Sequence, residues 1–229
     1  MELAPFQVTT LVYVCFYCAL AMVLLKMFVP QASRWLPALI FAFLIAIVGD
    51  YFLKIRTGQL GFILGIFGYF LAHIGFLVYA WHNISGRRRY SWPVLLLIAV
   101  PFLVFYFVML WPSLQAEIPL AIAVLLYLII SCMTLSASID LRAGRSWKWI
   151  YAIGVAFLVF SDTLIALHSF ADRHELYGRY MWPTFYSAMV FIALAVLLQH
   201  LLARNPLRSD NPQSNQYRET YEYLESESA

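Results

Sequence analysis

The sequence predicts an all-α protein, a polytopic transmembrane helix bundle of about seven spans, or eight, with its N-terminus outside and its C-terminus cytoplasmic. Three observations predict it. Of 229 residues, 63% are hydrophobic and 12% charged, with a mean hydropathy of +0.76; soluble domains carry about a quarter charged residues. Apolar runs close to the ~20 residues that cross a hydrocarbon core recur along nearly the whole chain. All seven tryptophans fall near the ends of those runs, where indole rings favour the interfacial belt.

The first run, 8–29, is too long for a signal-peptide core and lacks the basic lead-in and small-residue cleavage site, so it counts as a span. The others are 36–53, 59–81, 92–111, 118–138, 149–168 and 181–202. Residues 1–204 therefore form one transmembrane domain, and 205–229, rich in Ser, Asn, Gln and Glu, read as a disordered polar cytoplasmic tail. Cys15, Cys18 and Cys132 all lie within apolar runs, which suits packing better than a disulfide framework. No internal repeat is visible.

Orientation follows from the basic residues. Lys26, Arg34, Arg87, Arg88, Arg89, Arg142, Arg145, Lys148, Arg204 and Arg208 share one side of this parse, against Lys54, Arg56, Arg173 and Arg179 on the other. The richer side is cytoplasmic by the positive-inside bias. Charges confined to short loops speak for topogenesis, not for nucleic-acid binding.

Each ionisable side chain within a span costs about 2.5–3.5 kcal/mol on insertion scales and asks for a reason. Asp50 sits about a turn inside the second span in AIVGDYFL, and Asp162 about two turns inside the sixth in AFLVFSDTLIALHSF. Both fall in the outer half of the bilayer. Either is a working group or a structural partner of a base such as Lys54 or Arg179. His73 is the one histidine deep in a span, beside a stripe of small residues, Gly61, Gly65, Gly68, Ala72 and Gly75, that suits close helix packing. Tyr69 stands one turn before it. Tyr186 opens the seventh span at the depth of the carboxylates, and Tyr127, Ser131 and Thr134 add hydroxyls to the fifth. Lys26, near the cytoplasmic end of the first span, either snorkels to the head groups or serves as a secondary site residue.

AIVGDYFL, FLAHIGFLVY, FLVFSDTLIALHSF and FYSAMVFIALAVL, in this order over roughly 40–198, resemble the YhhN family of membrane proteins, which includes lysoplasmalogenases. That family is usually drawn with eight spans and a lysine–proline pair, where this chain has Lys26 and, later, Pro30. The resemblance implies a membrane-embedded hydrolase that cleaves the vinyl-ether bond of a lysoplasmalogen, giving a fatty aldehyde and a glycerophospho-head group. Two buried carboxyl groups suit this chemistry, one to protonate the alkene carbon and one to stabilise the cation and activate water. Asp50 and Asp162 are the candidates for these roles, with His73 or Tyr186 positioning water or head group. Tyr69, Tyr127, Lys26 and Arg179 are the candidate substrate-binding residues. The expected partners are the lysophospholipid and the surrounding bilayer, with no cofactor or metal, in the inner membrane if the cell is bacterial. The main alternative is a proton-coupled transporter using intramembrane Asp and His. A metal-dependent hydrolase of the ceramidase type needs about three histidines at ligand distance. An intramembrane aspartyl protease needs a Gly-x-Gly-Asp pattern where this chain has Val48-Gly49-Asp50.

Overall fold

The computed structural model describes residues 5–30, 32–55, 58–83, 92–139, 146–171 and 175–203. Among them there is helix and no strand, as lipid requires of a backbone that must satisfy its own hydrogen bonds. The helices are α1 (Pro5–Phe28), α2 (Leu36–Ile55), α3 (Gly58–Asn83), α4 (Trp92–Phe105), α5 (Trp111–Leu114), α6 (Ile118–Ser138), α7 (Ser146–Ala166) and α8 (Glu175–Ala203). Pro5, Pro37, Pro93 and Pro119 each occupy the first or second position of a helix, where the missing N–H has no partner to lose.

A π-helical turn, Tyr106–Leu110, joins α4 to α5 and makes 92–114 one continuous span. Its cause is Pro112. The proline ring would crowd the carbonyl of Val108, and the wider turn, closed by the Trp111 N–H on the Tyr106 carbonyl, relieves that clash. A second π-helical turn, Leu167–Ala171, ends α7. No proline accounts for it, and we have no physical explanation for its position.

Among the described residues six helices are long and apolar enough to cross a membrane, and Val12–Phe28 of α1 adds a shorter one. The seven expected spans are therefore the seven observed rods, with α6 matching at both ends. The expected span at 181–202 starts too late, because α8 begins at Glu175 and carries its polar first turns as helix. The arginines at 87–89, 142, 145 and 173, and the tail from 204 onward, lie outside the described residues.

The helices α1, α2, α3, α6, α7 and α8 close into a ring of successive neighbours, with α4 laid against the outside of α6. Only 11% of span 92–114 is buried within the protein, against 39–44% of the other five long spans. A helix that is apolar all round and touches little protein belongs in lipid. Outward-facing Phe, Leu and Val side chains on every rod extend that surface around the bundle.

Small residues set the tightest seam. A methyl group added to Gly68 would lie 2.8 Å from the Gly49 Cα, and one on Gly75 2.6 Å from the Ala38 carbonyl oxygen. Backbone meets backbone between α2 and α3 along the predicted glycine stripe. Gly154 does the same for α7 against Ile192 and Ala188 of α8.

Candidate active site

The α2–α3 seam brings Tyr69 to Asp50. A Cβ on Gly49 would meet Tyr69 Cδ2 at 3.1 Å, so only glycine lets the phenol ring lie along α2 and turn its hydroxyl onto the next residue. The Tyr69 hydroxyl donates a hydrogen bond to Asp50 Oδ1, and both residues are buried. Edge-on contact with Phe185 of α8 holds the ring from the other side, at 5.7 Å between centroids.

One turn along α3, on the same face, His73 reaches in another direction. Its Nε2 lies 3.0 Å from Asp162 Oδ2 on α7. From α6, Ser131 Oγ stands 3.5 Å from the same Nε2, Thr134 donates to the His73 carbonyl at 3.3 Å, and the Tyr127 ring packs edge-on to the imidazole at 5.3 Å. His73 Nδ1 is buried with no hydrogen-bond partner. A buried bare acceptor is better tolerated than a buried orphan N–H, which favours the tautomer with its proton on Nε2, directed at Asp162.

α3 thus hands one partner to each of two carboxyl groups on flanking helices. A hydrogen bond to a charged group contributes about 1.5–3 kcal/mol, comparable with the insertion cost of each aspartate. Tyr69 is bonded to Asp50 and lines the same cleft as Asp162, which places it between the two pairs.

The two aspartates are not equivalent. Asp50 is buried behind Tyr69, whereas the Asp162 side chain retains 9% exposure and lines two clefts. The first, about 420 Å³ with its open mouth included, is walled by Tyr69, Tyr127 and Asp162 together with Leu53, Phe62, Ile66 and Phe170. Phe62 and Phe170 meet edge-on at 5.5 Å beside the second π-helical turn. The second cleft, about 370 Å³ likewise with its open mouth included, runs between α4, α6 and α7. Tyr127 belongs to both, and its hydroxyl is buried without a hydrogen bond among the described residues.

The structure therefore gathers Asp50, Tyr69, His73, Asp162 and Tyr127. Tyr186 stands on the Asp50 side, half-buried and within electrostatic range of that carboxylate. Arg179 is exposed in the first turns of α8, at the end of the bundle where α2 gives way to α3. Lys26 does not join the group. Its Nζ donates to the Ala32 carbonyl at 2.9 Å at the opposite end, where α1 gives way to α2. The side chain of Lys54, and Arg56 and Arg173 entirely, lie outside the described residues.

Sequence reasoning gave Tyr69 only a binding role and passed over Thr163, which lines the second cleft beside Asp162. Thr163 directly follows the aspartate in an otherwise apolar run, and that adjacency was the available signal. Among the described residues, no three His, Cys, Asp or Glu side chains gather as metal ligands would.

Bundle and site together define a multi-pass helical membrane protein with two carboxyl groups hydrogen-bonded inside its spans. The model of the YhhN family matches residues 8–196, and the chain belongs to that family. Neither the curated proteins nor the solved structures provide a match.

Proposed function

We propose that this protein is a lysoplasmalogenase-type hydrolase whose proton donor is Asp162. The observation that carries the reading is an intramembrane carboxyl group lining apolar clefts, with a histidine N–H at one of its oxygens. Oδ2 accepts from His73, so Oδ1 holds the proton that faces substrate. That proton passes to the alkene carbon remote from the ether oxygen, leaving an oxocarbenium cation at the carbon bonded to oxygen. The Asp162 carboxylate, steadied by His73, stabilises the cation and then takes a proton from the attacking water. The resulting hemiacetal loses its hydroxyl proton as the bond to the glycerol oxygen breaks and that oxygen is protonated. One vinyl ether and one water become one aldehyde and one alcohol, and Asp162 ends protonated as it began.

Tyr69, fixed by Asp50, and the hydroxyl of Tyr127 border the same cleft and serve to hold the water and the ether oxygen. Exposed Arg179 lies at the end of the bundle reached by the first cleft, which suits contact with the phosphate.

The test is purified protein with a lysoplasmalogen beside its saturated ether analogue. Aldehyde is expected from the first alone, with loss of about 10²–10⁴-fold in Asp162→Asn, the range general acid–base groups contribute. A wild-type rate in Asp162→Asn would sink the mechanism. The carrier reading draws on one observation, two π-helical turns packed together beside Asp162. Proton-driven flux in liposomes without aldehyde release would favour it.

A further inference from the structure

The two clefts share Val124, Tyr127, Asp162 and Ala166 and diverge on either side of them. The first runs to Leu53, Phe62 and Phe170, all within a few residues of helix ends. The second runs to Phe102 and Phe105, midway along the span 92–114. From Asp162, one branch therefore leads towards the surface of the bundle and the other towards the membrane interior.

The inner branch is chemically plain. Ser131 and Thr163 line it, but each returns its hydroxyl to its own helix, on the Tyr127 carbonyl at 2.9 Å and the Val159 carbonyl at 2.8 Å. What remains is hydrocarbon wall, with the Tyr127 hydroxyl and Asp162 at its inner mouth. One side is α4, in which no residue is buried, so a chain can enter from lipid past this wall without displacing a packed core. The π-helical turn bounds the branch through Leu110 and is anchored by the Tyr106 hydroxyl on the Ala121 carbonyl at 2.9 Å.

We propose that this α4–α6–α7 cleft holds the single hydrocarbon chain of a lysolipid, and that Val159, one turn deeper than Asp162, and Phe105 determine the chain length accepted. The inference rests on the hydrolase reading for its substrate. An amphiphile anchored by its head at the surface points its chain towards the midplane. Filling the inner branch leaves the bond that joins chain to glycerol at the junction, against Asp162. The Tyr127 hydroxyl, beside Asp162, is a polar donor there for the adjoining oxygen.

The experiment uses full-length protein and two matched chain-length series of lysophosphatidylethanolamine, saturated ethers for binding and vinyl ethers for turnover. Val159→Leu narrows the inner cleft, Phe105→Ala widens it, and Ile66→Phe narrows the other. Val159→Leu should weaken binding of the longest chains at least tenfold while sparing the shortest. Phe105→Ala should move the optimum to longer chains, and Ile66→Phe should weaken all lengths alike. Wild-type chain-length profiles in both inner-cleft variants overturn the proposal, whatever their turnover. Profiles that shift as expected in a protein that releases no aldehyde uphold the chain cleft and reject the hydrolase. Absence of lysolipid binding by the wild type rejects both.

Discussion

Gly68→Ala tests how the fold makes the site. The added methyl would stand 2.8 Å from the Gly49 Cα and 3.0 Å from its nitrogen, where ordinary contact begins at 3.4 Å. Gly49 has no side chain to move aside, so α2 and α3 must part by more than half an ångström. A gap of roughly 0.5–1 Å forfeits about a quarter to a half of the dispersion attraction of each contact it opens, and within lipid such contacts are a main force between helices. Overpacking of this kind costs about 1–3 kcal/mol. At about 2–4 °C per kcal/mol for a chain of this size, the melting temperature in detergent should fall by several degrees. Activity should fall further than stability, because Tyr69 follows Gly68 and its hydrogen bond to Asp50 spans the same seam. Gly49→Ala, whose methyl meets its neighbours at 3.1–3.3 Å, should behave alike but more mildly. Leu97→Ala, at a position 76% exposed on α4, serves as the control. Thermal unfolding and aldehyde release read all three. A Gly68→Ala protein that melts and turns over like wild type would refute the argument that this seam holds Tyr69 on Asp50.

Other outcomes follow from the same geometry. Tyr69→Phe keeps the ring against Phe185 but removes the donor to Asp50, and leaving a buried polar group short of a bond costs about 1–3 kcal/mol; lowered melting temperature and kcat are expected, and an unchanged pair of values counts against that bond. His73→Phe leaves Asp162 without its partner, and an orphaned buried polar group costs about 1–3 kcal/mol; Asp162→Asn with His73→Phe should be less destabilised than the two single changes summed, as read in a double-mutant cycle. Lys26→Ala, altered at the far end of the bundle, should keep the wild-type KM for lysoplasmalogen; a severalfold rise would return Lys26 to the binding site.

Much of this was legible in the sequence because lipid imposes strict rules. Runs of apolar residues marked the rods, and the spacing of Gly65, Gly68 and Gly75 marked the closest seam. Insertion cost alone singled out Asp50, Asp162 and His73, and the structure joins two of these three directly. Pairing was less legible, because a linear pattern gives depth along a helix but not which neighbour that face meets. Tyr69 looked like an accessory to His73, one turn away; the absence of side chains at Gly49 and Gly68 turns it onto α2 instead. Lys26 looked like a site residue for the same reason, its position in an apolar run saying nothing of the Ala32 carbonyl that receives it. Pro112 hinted at the first π-helical turn, while the second has no such marker.

The different surroundings of Asp50 and Asp162 argue for different work. A group that donates a proton to carbon must reach substrate, and Asp162 borders both clefts while Tyr69 stands between Asp50 and the first. A group that only supplies field or fixes a neighbour gains from seclusion, because charge acts more strongly where water is excluded. Asp50, buried and bonded to Tyr69, fits that second part. Placing both partners on α3 ties the two parts together. Tyr69 and His73 share one helix face, so a displacement of α3 that misaligns one pair misaligns the other. The close approach of Gly68 to Gly49 lies beside Asp50, so the seam that fixes Tyr69 also fixes His73. α3 must be held rigidly against α2, while the wall formed by α4 stays loosely packed and open to lipid.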